Sequence, residues 1–314
     1  MKSYYSSVGM GVLCELVGKT RQAFYKSRSK KERLLFDASI IIGLVIRERQ
    51  TAKRVGTRRL LLILEVELLT HNIKIGRQRF NEILRDNDLL IKRRKRKPKL
   101  TNSRHKLPLY PNKARSLSIN CSEQLWVSDI TYIKVRDVFC YLILITDAYS
   151  RKVMGYNFAR TMDTAFCLEA LDQALELRSY PERELMHHTD RGTQYCSIDY
   201  TDKLKLSNII ISMTERGDPL ENPLAERMNR TFKDVFGLDE NFGTYQKAQQ
   251  QIDKSVAYYN TRLPHSSIDY LTPQDAHHRR GHLKKHWTYY WRACLLYTSP
   301  SPRDLSTSRM PSSA

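Results

Sequence analysis

Apolar positions change their period once along this 314-residue chain, near residue 117. Before that point they recur at three- and four-residue steps, the mark of amphipathic helices. The segment LCELVGKTRQAFYKSR predicts two short helices turning at Gly18, with Thr20 as N-cap of the second. A second helical unit follows in IIIGLVIRERQ, RRLLLILEVELL and IKIGRQRFNEILRDNDLL, where Ile75, Phe80, Ile83 and Leu84 keep helical spacing around a turn at Gly76. Each unit reads as a helix-turn-helix. Beyond residue 117, LWVSDITYI, VFCYLILITD and RKVMGYNFA predict three consecutive strands, whose short links suit antiparallel neighbours. An amphipathic helix (DTAFCLEALDQALELR, apolar at Phe166, Leu168, Leu171, Leu175 and Leu177) precedes a strand (ELMHHTD), a helix (SIDYTDKLKL) and a strand (NIIISM). Two further helices, PLAERMNRTFKDVF and YQKAQQQIDKSVAYYN, lead into TRLPHSSIDYLTP and RRGHLKKHWTYYWR.

Three strands followed by alternating helix and strand is the order of an α/β, ribonuclease-H-like mixed sheet flanked by helices, here preceded by small all-α helix-turn-helix units. The expected divisions are 1–35 and 36–95 (the helical units), 96–116 (a basic linker), 117–275 (the α/β core), 276–293 (a basic aromatic segment) and 294–314. That last stretch, rich in Ser and Pro, resembles the read-through translation of a sequencing-library adapter and is set aside as an artefact expected to be disordered.

Length allows two or three domains, and 41% apolar with 10% aromatic residues argues for a folded chain. Charge is unevenly placed. Residues 1–115 carry 29 Lys and Arg against 9 Asp and Glu, the whole net charge of +20, while the remainder carries 24 of each. A polyanion-binding front half therefore precedes a balanced one. Arg21, Gln22, Tyr25 and Lys26 on the first reading helix, Arg77 and Arg79 on the second, and the run Lys92, Arg93, Arg94, Lys95, Arg96, Lys97 are the expected DNA contacts. Membrane binding is the weaker reading of this charge, since no apolar run approaches the ~20 residues of a span. Six cysteines without a CxxC pair suit small core positions in a reducing cytosol.

Three carboxylates stand out. Asp129 interrupts a strand, where acids are depleted, and shares a face with Leu125 and Val127. Asp190 ends another strand, and Glu226 follows in a helix after 35 intervening residues. Each has an ordinary alternative: an edge position for Asp129, an Asp-Arg-Gly turn for Asp190, a solvated surface for Glu226. Together they form the oxygen-rich set that holds hard divalent cations, with two ions able to promote in-line attack on a phosphodiester. Asn222 as cap and Pro223 at the first helical position put Glu226 in the first turn, with Arg230 and Lys233 on its face, and favour it over Glu221. His188 shares strand parity with Asp190 and either tunes the site or plays a structural role, whereas Asp147 in TDAYSR reads as a turn residue. His278, His282 and His286 have helical spacing, but without a cysteine partner they suit a basic surface better than zinc.

In the contexts WVSDITY, HTDRGTQY and ENPLAERMNRTFK, the chain resembles the DDE catalytic domain of retroviral integrases and insertion-sequence transposases, and it is identified as a member of the orfB-type insertion-sequence-3 family from about residue 9 to about 291. YPN at 110–112, TDAYSR, ISMTERGDPLEN and the PHSSIDYLTP segment extend the likeness. The resemblance implies that residues 117–275 are a DDE integrase core whose three acids bind two Mg²⁺ or Mn²⁺ ions. It further implies cutting of one strand at each element end and direct attack by the 3′-hydroxyl on another phosphodiester. Double-stranded DNA, as terminal inverted repeats and as target, is the implied partner of a homo-oligomer in the bacterial cytoplasm, with or without an upstream-frame DNA-binding partner. Arg230 and Lys233 match positions that approach the terminal DNA, and His188 matches the family's histidine beside the second acid. Where the family carries Arg-Pro-His, this chain has Leu263-Pro264-His265, which moves a basic contact to Arg262 or removes it. The other readings are an inactive, repressor-like DNA-binding protein and a stand-alone nuclease of the same fold.

Overall fold

The computed structural model describes residues 7–91, 108–215 and 221–286. Five strands, β1 (Leu125–Val135), β2 (Val138–Asp147), β3 (Val153–Ala159), β4 (Leu185–Thr189) and β5 (Ile209–Met213), form one sheet in the order β3-β2-β1-β4-β5. Short links make β1, β2 and β3 antiparallel neighbours. The parallel pairs β1/β4 and β4/β5 need crossovers, which α6 (Thr164–Glu176) and α7 (Ile198–Leu206) supply. This is the mixed, helix-flanked sheet expected, with β1 central and β4 beside it.

The α6 face departs from expectation in its choice of residues. Its buried stripe is Phe166, Cys167, Ala170, Leu171 and Ala174, while Leu177 is exposed. The reason lies across the interface: a Cβ on Gly155 of β3 would come within 2.0 Å of the Ala170 carbonyl oxygen. Helix and strand approach so closely that only small residues fit between them.

Opposite α6, α8 (Pro223–Phe236) and α9 (Tyr245–Thr261) cover the sheet, and a short α10 (Pro273–His277) follows. Since α10 ends at His277, the helical spacing expected for His278, His282 and His286 is not realised. The chain's front half contains α1 (Met10–Leu16), α2 (Arg21–Arg49), α3 (Thr57–Ile63), α4 (Glu65–Thr70) and α5 (Arg77–Asp86). Gly18 turns with φ +64°, and Thr20 caps α2 by accepting the Ala23 N–H at 3.1 Å, as the sequence predicts. However, α2 is a single 29-residue helix, so the boundary expected at 35/36 falls inside it. No proline interrupts Arg21–Arg49, and the Arg28–Glu32 pair supports its exposed first half.

The helical unit and the core are not separate packing units. Ile41, Val45, Leu60, Leu64, Phe80 and Leu84 share one hydrophobic cluster with Phe232, Phe236, Tyr259 and Leu263. Arg54 pairs with Asp239 (2.7 Å) and Glu240 (2.5 Å) across the seam, and Lys53 pairs with Glu240 (2.7 Å). Glu48, 5% exposed, accepts from the Tyr258 hydroxyl (2.6 Å) and from Arg262 (2.7 Å). Leu263 is fully buried in the shared cluster, and the Arg262 guanidinium is occupied by Glu48 and Glu67. Among the described residues, no helix is long and apolar enough to cross a membrane.

Candidate active site

Alternation along β1 turns Leu125, Val127 and Asp129 toward α8, as expected, with Leu125 and Val127 buried against Ala225 and Leu224. β4 runs parallel to β1 with Val127 opposite His188, so two residues further on each strand bring Asp129 and Asp190 to the same edge. The Asp129 carboxylate accepts from its own neighbour, the Ile130 N–H (2.9 Å), and from the Asn229 side-chain amide (2.9 Å). Asp190 accepts the Gly192 N–H at 3.0 Å. The Asp-Arg-Gly turn read as its alternative is therefore present and orients the acid. Glu226 is exposed in the first turn of α8, three residues before Asn229.

The electrostatics tie the three acids together. Withdrawal from water, the Asp190 charge and, least of the influences, Glu226 push the Asp129 carboxyl up to about 7, against the pull of the Asn229 and Ile130 hydrogen bonds. A half-buried carboxylate crowded by like charge has the character of a divalent-cation ligand. The donor set is all oxygen, which fits a hard ion. Among the described residues, no three His, Cys, Asp or Glu side chains are gathered tightly enough to hold an ion as they stand. The fit therefore rests on the Asp129–Asp190 edge with Glu226 beside it.

The start of α8 is held differently from the sequence expectation. Asn222 occupies the N-cap position and Pro223 the first turn, but the Asn222 side chain makes no cap bond. It donates instead to the Ser128 carbonyl at 3.0 Å, fastening the helix to the residue before Asp129. The buried His188 ring lies between the Ser212 hydroxyl (Nδ1, 2.9 Å) and the Glu221 carbonyl (Nε2, 3.1 Å). Burial lowers its pKa against the opposing pull of Glu221, so the neutral ring donates from Nε2 and accepts at Nδ1. Ser212 Oγ in turn accepts the backbone N–H groups of Lys113 and Ala114. His188 thus positions the segment entering α8. Asp147 is the buried turn residue expected, accepting from Ser150 and from the Glu123 N–H.

Sequence reasoning missed Asn229. An asparagine inside a helix carries no signal alone, but its three-residue spacing from Glu226 could have flagged it. Arg230 is exposed beside Glu226 on α8, while Lys233 is half-buried, and its carbonyl accepts from Arg54. Arg21, Gln22 and Lys26 are exposed at the start of α2, as are Arg77 and Arg79 on α5, where Arg79 pairs with Glu82. The expected contacts Lys92, Arg93, Arg94, Lys95, Arg96 and Lys97, and the adapter-like tail, lie outside the described residues.

Residues 120–219 match the model of an integrase core domain, and residues 207–273 match a second integrase core domain model. An uncharacterized 31 kDa protein of insertion element IS600 from Shigella sonnei is 28% identical over 265 residues, covering 83% of this chain and 96% of that protein. The transposase for insertion sequence element IS904 from Lactococcus lactis is 33% identical over 184 residues, covering 55% of this chain and 72% of that protein. Among solved structures, the catalytic core of HTLV-2 integrase in complex with magnesium covers 50% of this chain and 98% of its own, at 19% identity and a TM-score of 0.39, a loose likeness. With its core matched by the integrase models and most of an insertion-sequence transposase matched in sequence, this chain belongs to the insertion-sequence-3 family of DDE transposases, polynucleotidyl transferases that cut DNA.

Proposed function

We propose that Asp129, Asp190 and Glu226 are the catalytic acids and metal ligands with which this transposase cleaves one strand at each end of its element and joins the new 3′-hydroxyl to target DNA. The observation that supports this reading is geometric: parallel β1 and β4 bring Asp129 and Asp190 to the same edge of the sheet, and α8, which carries Glu226, reaches that edge through the Asn229–Asp129 hydrogen bond. When bound, a pair of Mg²⁺ or Mn²⁺ ions supplies activation of the attacking oxygen and stabilisation of the leaving one. Asn229 and the Ile130 N–H hold the Asp129 carboxylate, and the Gly192 N–H holds that of Asp190. Arg230 and Lys233 approach the phosphates of the element end from the same helix as Glu226.

Arg21, Gln22, Lys26, Arg77 and Arg79 read or grip the terminal inverted repeats, and residues 92–97 follow the backbone. The working assembly is a homo-oligomer on paired ends in the bacterial cytoplasm, acting alone or with an upstream-frame partner. Replacing Asp190 by Asn tests the assignment. Mg²⁺-dependent strand transfer should disappear while end binding persists in a gel-shift assay, and undiminished transfer would remove Asp190 from the catalytic set.

A further inference from the structure

One cavity borders the three acids without including any of them. It measures about 570 Å³ and lies between Asn112 and Ile119 of the segment before β1, Leu125 and Val127 of β1, and Asn222 and Leu224 at the start of α8. Val127 shares a face of β1 with Asp129, which puts the cavity about 7 Å along the strand from that acid. A volume of this order suits a compact ring system between aliphatic walls. Asn222 joins the two sites directly, because its Nδ2 donates to the Ser128 carbonyl at 3.0 Å.

Most polar groups of the lining are already engaged. Both ring nitrogens of His188 are bonded, Arg151 donates to the Ala148 carbonyl at 2.6 Å, and the Glu221 carboxylate accepts the Glu215 N–H at 2.6 Å. Two amide oxygens are not. Oδ1 of Asn112 and Oδ1 of Asn222 are buried without a hydrogen-bond partner among the described residues, and Asn222 as a whole is 7% exposed. Its bond to Ser128 fixes which end of the amide is the acceptor. Buried acceptors of this kind are costly until a donor reaches them, so the cavity is complementary to a ligand that carries N–H groups on an apolar body. Two acceptors match the two N–H groups of one exocyclic amine. Within DNA the sugar–phosphate chain offers only acceptors along its length, and amines belong to the bases. Those amines are paired inside a duplex, so the ligand is a base outside the stack.

We propose that this cavity receives one unpaired, amine-bearing base of the DNA, next to the phosphodiester at the three acids, with its amine donating to Oδ1 of Asn112 and of Asn222. Arg115, exposed in the lining, meets the phosphate of the same nucleotide. The site rests on the DNA-processing reading above and adds selectivity to it, because thymine has no amine and is disfavoured at that position. Taking a base out of the stack is costly, and least so for one already unpaired.

The test titrates the full chain, in EDTA, against terminal-repeat duplexes that end in a single unpaired nucleotide on one strand or the other. That nucleotide is dA or 2′-deoxynebularine, which differs only in lacking the amine. On one of the two strands the dA duplex should bind about tenfold more tightly, and Asn112→Leu should abolish the difference while keeping the affinity for a blunt duplex. A difference that survives Asn112→Leu, in a protein that melts like the parent, overturns the assignment to this cavity. Equal affinities of the parent for dA and nebularine on both strands overturn it without any variant, which decides the matter should Asn112→Leu fail to fold. A parent that binds none of the duplexes, blunt ones included, overturns the DNA-processing reading itself.

Discussion

Asp129 behaves unlike an ordinary carboxylate because burial and two acidic neighbours raise it from 3.8 to about 7. The folded chain thus holds a proton that the unfolded chain releases, and metal-free protein loses stability as pH rises from 3.8 to about 7, with the full penalty above it. Melting curves in EDTA across this range should show the fall, and Asp129→Asn should flatten it. Mg²⁺ should raise the melting temperature more above pH 7 than well below, since a proton competes for the same oxygens. Asn229 acts through Asp129. Its replacement by Ala should lower Mg²⁺ affinity or strand transfer by about 10- to 100-fold, with little change in duplex binding. The strand and helix positions of the three acids were legible in the residues, whereas Asn229 and the Asn222–Ser128 bond depend on how α8 lies across β1.

Packing at the element scale is governed by close approach. Gly155→Ala would drive a methyl into the Ala170 carbonyl and should cost about 3 kcal/mol in urea unfolding. Gly237, the αL cap of α8 at φ +75°, meets only flexible side chains, and Gly237→Ala should cost about 1–2 kcal/mol, mainly from its backbone. The same unfolding measurement separates the two mechanisms. Strand order and the helices between strands could be read from periodicity, because each element's burial repeats locally. Of the apolar face expected for α6, Phe166 and Leu171 are buried and Leu168 and Leu175 pack on the same core, but the stripe centres on Cys167, Ala170 and Ala174, because the close approach at Gly155 on β3 leaves room only for small residues. The length of α2 was likewise hidden, for nothing in the sequence marked a stop before Gln50 and the expected unit was shorter.

At the scale of the molecule, the helical unit and the core share one interior. Glu48 is the most deeply buried acid of the seam, and the hydrogen bonds from Tyr258, Arg262 and Arg47 overcome the penalty of burial to hold its pKa below 4.5. Its contribution is present above pH 4.5 and is lost as pH falls through the folded-state value. Glu48→Ala should destabilise the chain by about 2–4 kcal/mol, read as a lower urea midpoint. A fragment limited to residues 117–275 would uncover Phe232, Phe236 and Leu263, which the helical unit covers. Such a fragment should bind ANS and aggregate in size-exclusion chromatography, whereas a chain retaining residues 36–91 should not. Leu263 makes sense only at this scale: where the family resemblance led to the expectation of arginine, the leucine of this chain is part of the shared core.

The sequence alone determined the order of strands and helices, the charge asymmetry and the three acids in their family contexts. These are local properties: side-chain period, composition and spacing are set by residues near one another in the chain. Tertiary structure decided which polar groups meet. Asn229 reaches Asp129, His188 turns to the entrance of α8, and Arg262 is taken by Glu48, because packing brings together residues as many as 214 positions apart. No local pattern encodes those distances, for they follow from how two helical layers settle on one sheet.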